Sequence, residues 1–244
     1  MNLLPLWQQE PVSLRLARQM QALCICAKEL LVEYSVQPPG ISTQRSLLYA
    51  NGVPSVLHDA TRFTNVQPFL QGRYAGLFSY NDAASGEARL AKFAQHYGIS
   101  VHEAWASIGQ APHSPTATAL QCNLQLVTME LLSDQWQFLN DLEPAIVQDT
   151  SPYVLAALQQ AQQVLLGNGG IGVHGDLRQT NVAVQRGEKG WMVKFVDYDW
   201  AGLAGVHRFP PFMNSQVDWP DGVQPLAIMY PQHDVDLLTR QFQF

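Results

Sequence analysis

Two polar stretches set into apolar sequence constrain this chain more than anything else in it. The first is His174-Gly175-Asp176-Leu177-Arg178-Gln179-Thr180-Asn181-Val182, and the second is Lys194-Phe195-Val196-Asp197-Tyr198-Asp199-Trp200. The first offers a carboxylate, a cation two residues later and an amide five residues after the carboxylate. The second offers another carboxylate at the end of an apolar run, sixteen residues past the amide. A lone His-x-Asp is usually a polar turn. The full His-x-Asp-x-x-x-x-Asn spacing, followed by strand, turn, strand and aspartate, is the equipment needed to hold two magnesium ions and a nucleophilic hydroxyl against a nucleotide phosphate.

The flanking sequence supplies supports for such a loop. Val154, Leu155, Leu158, Ala161 and Leu165 form one stripe of a helix predicted over 152–166, which Gly167-Asn168-Gly169-Gly170 ends. After the loop, 182–184 and 191–196 read as a hairpin with Asp197 at the tip of its second strand. Farther upstream, 74–80 and 88–94 read as paired strands around a turn at 81–86, with Lys92 near the end of the return. A helix is predicted over 100–108, closed by Gly109. It offers Glu103, and as second choice His102, to orient the lysine; a surface charge on the first turn is the competing role for Glu103. Residues 123–132 read as a strand running into a polar break at Ser133-Asp134. An adenine ring would meet backbone groups near Glu130 to Leu132 there. Residues 136–139 read as a short helical stretch, and a last short helix starts at His233.

At the other end, Leu16, Met20, Leu23, Ala27, Leu30, Leu31 and Tyr34 recur at helical spacing over 13–34, with Ser13 as N-cap and Gln37-Pro38-Pro39-Gly40 as terminator. Residues 41–66 read as irregular and carry no assigned chemistry. Composition narrows the partners. Only 14% of residues are charged, the net charge is −6, and no Lys/Arg run exists, so neither nucleic acid nor an anionic membrane is an expected partner. Cys24, Cys26 and Cys122 form no disulfide framework, the N-terminus carries no basic signal region, and no apolar run reaches membrane-spanning length. A cytoplasmic protein is expected, with the nucleus as the alternative.

These motifs together resemble the protein-kinase-like superfamily, in the branch shared with aminoglycoside and choline phosphotransferases, and most closely the fungal protein-kinase-like domains. The resemblance rests first on His174-Gly175-Asp176-Leu177-Arg178 with Asn181, and on Phe195-Val196-Asp197-Tyr198-Asp199-Trp200-Ala201-Gly202. Leu90-Ala91-Lys92-Phe93, Tyr97-Gly98, His102 and Gly109-Gln110-Ala111-Pro112 add to it, as do Arg208-Phe209-Pro210-Pro211, Trp219-Pro220 and His233-Asp234. It covers roughly residues 65–244. It implies an α+β, bilobal fold: a helical extension over 1–64, a small β-rich N-lobe over 65–132, and a shortened, mainly helical C-lobe over 133–244.

The resemblance also implies roles. Asp176 would be the base or hydroxyl-orienting carboxylate, and Arg178 would neutralise the transferred phosphoryl group. Asn181 and Asp197 would hold magnesium, Lys92 would pair with the outer phosphates of ATP, and Asp234 would anchor the loop backbone. His174 would prop the loop. The implied activity is ATP- and Mg-dependent transfer to a Ser/Thr hydroxyl of protein, with a small-molecule kinase and a binding module lacking turnover as the rivals. The chain also departs from the usual pattern. No Gly-x-Gly-x-x-Gly precedes Tyr74, Gly175 stands where regulated kinases carry arginine, Tyr198-Asp199 stand in place of Phe-Gly, and no Ala-Pro-Glu follows. Asp199 is thus either a third metal-facing carboxylate or a turn residue. The phosphoryl acceptor and the oligomeric state are not legible.

Overall fold

Strand alternation decides which way Lys92 faces. Strands β2 (Leu77–Asp82), β3 (Ala88–Ala94) and β5 (Gln125–Glu130) lie side by side, antiparallel, within a five-stranded sheet of order β1-β2-β3-β5-β4. Phe78, Tyr80, Ala91 and Leu126 pack with Val53, Leu57 and Phe63 in one core. Ala94, Val127 and Met129 belong to the other, larger core. Lys92 sits directly opposite Val127 in the β3–β5 register. Residues in register across a ladder share a face, so the lysine is carried on the larger core's side. This computed structural model describes residues 53–69, 76–120 and 124–242, all inside a compact unit running from Leu48 to Phe244. The helix expected over 13–34, the three cysteines, Gly72 and the start of the Tyr74 strand lie outside the described residues.

Two strands of this sheet escaped the sequence reading. Strand β1 (Phe63–Pro68) falls where an irregular segment was expected. Only Phe63 is fully buried in it, and a register shift between Thr64 and Gln67 breaks the alternation that would have announced it. Strand β4 (Thr116–Ala119) is exposed along its whole length and adds to the edge of β5, so no apolar signal marks it.

A second sheet has the order β6-β8-β9, from Gln137–Phe138, Val182–Gly187 and Gly190–Phe195. The predicted helical stretch at 136–139 is instead strand β6 followed by a 3₁₀ turn over Leu139–Asp141. Pairing with Val184 and Ala183 overrides the weak local preference. Short strands β7 (Gly172–Val173) and β10 (Gly202–Leu203) form a third ladder.

Three α-helices complete the described residues: α1 (Ile99–Ala106), α2 (Pro144–Gln163) and α3 (Pro231–Gln241). Helix α2 begins earlier than Pro152, where a helix start was expected. Pro152 is interior, and it cannot donate to the Gln148 carbonyl. The Ser151 hydroxyl donates to that carbonyl instead, at 3.0 Å. Proline at the helix start is real, but the residue is Pro144. No helix among the described residues is long and apolar enough to cross a membrane.

Candidate active site

Lys92 Nζ lies 2.5 Å from Asp197 Oδ1 and 2.7 Å from Asp199 Oδ1, which joins the first sheet to the segment after β9. Burial pulls the ammonium's pKa down, but the two carboxylates together outweigh it and hold the group above its ordinary value. For Asp199, burial and then the neighbouring Asp197 charge push the carboxyl up to about 6. Residues 197–199 alternate in direction. Asp197 and Asp199 meet the lysine, while Tyr198 is fully buried between α1 and the 174–181 loop. Its ring stacks on His102 at 4.5 Å and 4°, and it lies 4.9 Å from the His174 ring and 5.8 Å from Trp105. Asp197 holds a left-handed backbone, φ 69°. That conformation is costly for a non-glycine residue and persists only where the surroundings enforce it.

The loop from His174 to Asn181 is held from below by α3. Asp234, 1% exposed, accepts the His174 N–H at 2.7 Å and the Gly175 N–H at 2.9 Å. Burial pushes its carboxyl up to about 7 against those two bonds. His174 Nε2 donates to the Val196 carbonyl at 2.9 Å, and Val196 N–H donates to the Asn181 carbonyl at 3.0 Å. The loop and the strand end that carries Asp197 are therefore hydrogen-bonded to each other. Asp176, buried, receives Arg178 Nε at 2.6 Å and Nη2 at 2.8 Å in a fork. Asn181 Nδ2 donates to the Asp176 carbonyl at 2.7 Å and reaches Oδ2 at 3.3 Å, while Asn181 Oδ1 accepts only a long bond from the Thr180 hydroxyl at 3.4 Å, which a cation could displace.

Gly175 has a second reason to be glycine besides lacking an arginine's charge. Its φ is +81°, and a Cβ there would collide with Met229 Cε and touch Trp200. Gly175→Ala is expected to lower stability by about 1–2 kcal/mol from the left-handed backbone alone, since the tip of Met229 can move aside. Chemical denaturation of the two proteins measures this directly.

Glu103 does not orient Lys92. It lies on the exposed face of α1, and among the described residues it makes no ion pair. Helical periodicity turns His102 inward and leaves its neighbour outside. His102 is fully buried, accepting from the Tyr97 hydroxyl at 2.7 Å through Nδ1 and donating to the Pro112 carbonyl at 2.8 Å through Nε2. Asp199 takes the lysine-pairing position. The signal was present in Asp197-Tyr198-Asp199, where an inward aromatic between two aspartates turns both carboxylates the same way.

Burial lowers the His102 pKa from 6.5 to about 4. The folded state thus binds this proton later than the unfolded chain as pH falls. The contribution is intact above pH 6.5 and is lost progressively as pH drops toward 4, amounting to about 3 kcal/mol at full protonation. Burial lowers His174 in the same sense. Thermal melts from pH 7 to pH 4 should show this loss, and His102→Gln should flatten it.

Glu130 and Leu132 sit at the end of β5. The Glu130 side chain turns away from the Lys92 cluster, with Oε2 accepting Lys194 Nζ at 2.6 Å and the His113 N–H at 2.7 Å. Its backbone N–H is already bonded to the His113 carbonyl. The Leu132 backbone makes no hydrogen bond among the described residues.

A helix-supported loop carrying Asp176 and Asn181, beside a strand end carrying Asp197 and a sheet lysine, defines a protein-kinase-like fold. The solved structure of the Cydia pomonella granulovirus kinase PK-1 is similar to this chain, with a TM-score of 0.55 at 14% identity over 75% of this chain and 67% of that one. No protein-family model and no curated protein sequence matches the chain. The oxygen donors of Asp197, Asp199 and Asn181 are of the kind magnesium takes. Magnesium is ordinarily held by one or two carboxylates together with phosphate oxygens and water, not by a complete protein cage. Among the described residues there is no such complete cage.

Proposed function

We propose that this chain is an ATP- and magnesium-dependent phosphotransferase that transfers the γ-phosphate to a Ser/Thr hydroxyl of protein, as a member of the fungal-type kinase-like group. One observation carries the proposal: Lys92 Nζ lies 2.5 Å from Asp197 Oδ1, on the same structural unit as the Asp176–Asn181 loop. Phosphoryl transfer needs little covalent help, and positioning with neutralisation of spread charge supplies most of the catalysis.

In this reading Lys92 exchanges a carboxylate for the outer phosphates of ATP. Bound magnesium, held by Asp197 and the Asn181 amide oxygen, would offset the charge of the phosphates. Asp176 accepts the proton of the acceptor hydroxyl. Arg178, now forked onto Asp176, lies close enough to turn toward the phosphoryl group. The Leu132 backbone offers adenine a donor and an acceptor that no protein group occupies among the described residues.

A second reading, a binding module that keeps the fold without turnover, is favoured by one observation. Glu103 is exposed, and Lys92 is held by Asp197 and Asp199 without a carboxylate from α1. The first test is thermal stability with ATP and magnesium. Stabilisation by MgATP, lost in Asp197→Ala, is the expected result. No shift at millimolar nucleotide would reject the phosphotransferase and leave the binding module standing. Labelled ATP with protein and small-molecule acceptors then separates turnover from binding, and a protein kinase from a small-molecule kinase.

A further inference from the structure

A cavity of about 510 Å³ lies beside the end of β5, and its lining includes none of Lys92, Asp176, Asn181 or Asp197. Its volume falls in the range of small-molecule sites. The walls that matter are Trp136, Tyr153, Trp191, Gln110, Glu130 and Lys194. Two of the aromatic walls are fixed by other residues. Trp191 Nε1 donates to Asp149 at 2.8 Å, and the Arg186 guanidinium lies 5.0 Å from its ring centroid. The Lys194 ammonium lies 5.2 Å from the Trp136 centroid. Rings already held in place lose little freedom when a ligand arrives.

The polar groups of this cavity share a bias. Glu130 Oε2 takes both Lys194 Nζ and the His113 N–H, while Oε1 has no hydrogen bond among the described residues. Gln110 is 8% exposed, its Nε2 donates to Gln160 at 2.9 Å, and its Oε1 accepts nothing among the described residues. Lys194 is spent on Glu130, so the pair is close to neutral and offers an anion little. Gln110 Oε1 is enclosed, so Glu130 Oε1 is the acceptor open to an occupant, and with the aromatic walls it calls for a flat ligand that brings an N–H group.

We propose that this cavity is a second small-molecule site, separate from the Lys92–Asp197 site, for a planar aromatic amine or amidine that stacks among Trp136, Tyr153 and Trp191 and donates to Glu130 Oε1. The inference stands whether or not the chain transfers phosphate.

The test uses 2-aminoquinoline as the probe, titrated into the full chain and followed by calorimetry. Saturable one-to-one binding is expected. Ala156→Trp fills the cavity from an exposed position of α2, and Glu130→Gln replaces the charged acceptor; each should weaken binding about tenfold or more. Lys92→Met should leave it unchanged. Circular dichroism melts confirm that each variant is folded, and Ala156→Trp keeps the test decisive if Glu130→Gln does not fold. Absence of binding at millimolar probe, or binding lost in Lys92→Met and untouched by Ala156→Trp, overturns the proposal.

Discussion

Asp176→Asn is expected to lower phosphoryl transfer by about 10²–10⁴-fold, the usual contribution of a positioned general base, while leaving stabilisation by MgATP in place. The carboxylate is buried, accepts two N–H groups from Arg178 and lies beside Asn181. An amide has the same shape but cannot take a proton, and it would point an N–H at the Arg178 fork. The groups proposed to meet the nucleotide, Lys92 and Asp197, are untouched by the change. Single-turnover transfer from labelled ATP, measured beside nucleotide-induced thermal shift, separates the two effects. A variant that transfers at the wild-type rate would remove Asp176 from the mechanism.

Asp234→Ala should be among the most destabilising single changes in the chain. It strips the His174 and Gly175 N–H groups of their acceptors in a fully buried place. Each buried donor left unsatisfied costs about 1–3 kcal/mol, so the sum is about 2–6 kcal/mol. The cavity left by the side chain adds to it. Asp234→Asn keeps one acceptor oxygen and should lose roughly half as much. Denaturant titration of both variants measures the difference, and equal losses would mean that the acceptor retained in Asp234→Asn contributes nothing. Because the same loop carries Asp176 and, through Val196, meets the strand end at Asp197, both variants should also lose activity beyond what unfolding explains.

Much of the site was legible because its parts are close in sequence or periodic. His174 to Asn181 is a local turn whose spacing already implies a carboxylate and an amide on one loop, and β3 was read with the bounds the structure has. The hairpin was likewise placed by alternation and turn residues; its first strand runs on to Gly187, past the expected 184, and its second is shifted back by one residue. The failures share a cause. β1 and β4 carry little apolar pattern because one is interrupted by a bulge and the other lies exposed at an edge, and Pro152 read as a helix start because the local compensation by Ser151 has no sequence signature.

The sequence by itself determined the chemistry at hand: an aspartate, arginine and asparagine on one loop, an aspartate beyond a strand, and a lysine on a distant strand. Only the tertiary structure decided which carboxylates the lysine meets. Glu103 is near Lys92 along the chain yet turns to solvent, because helix α1 buries the faces of Val101, His102 and Trp105. Asp199 is far away in sequence yet lies 2.7 Å from the lysine, because burying Tyr198 turns both of its aspartate neighbours outward. Periodicity fixes which face a side chain takes on its own element; which faces meet is settled by packing between elements.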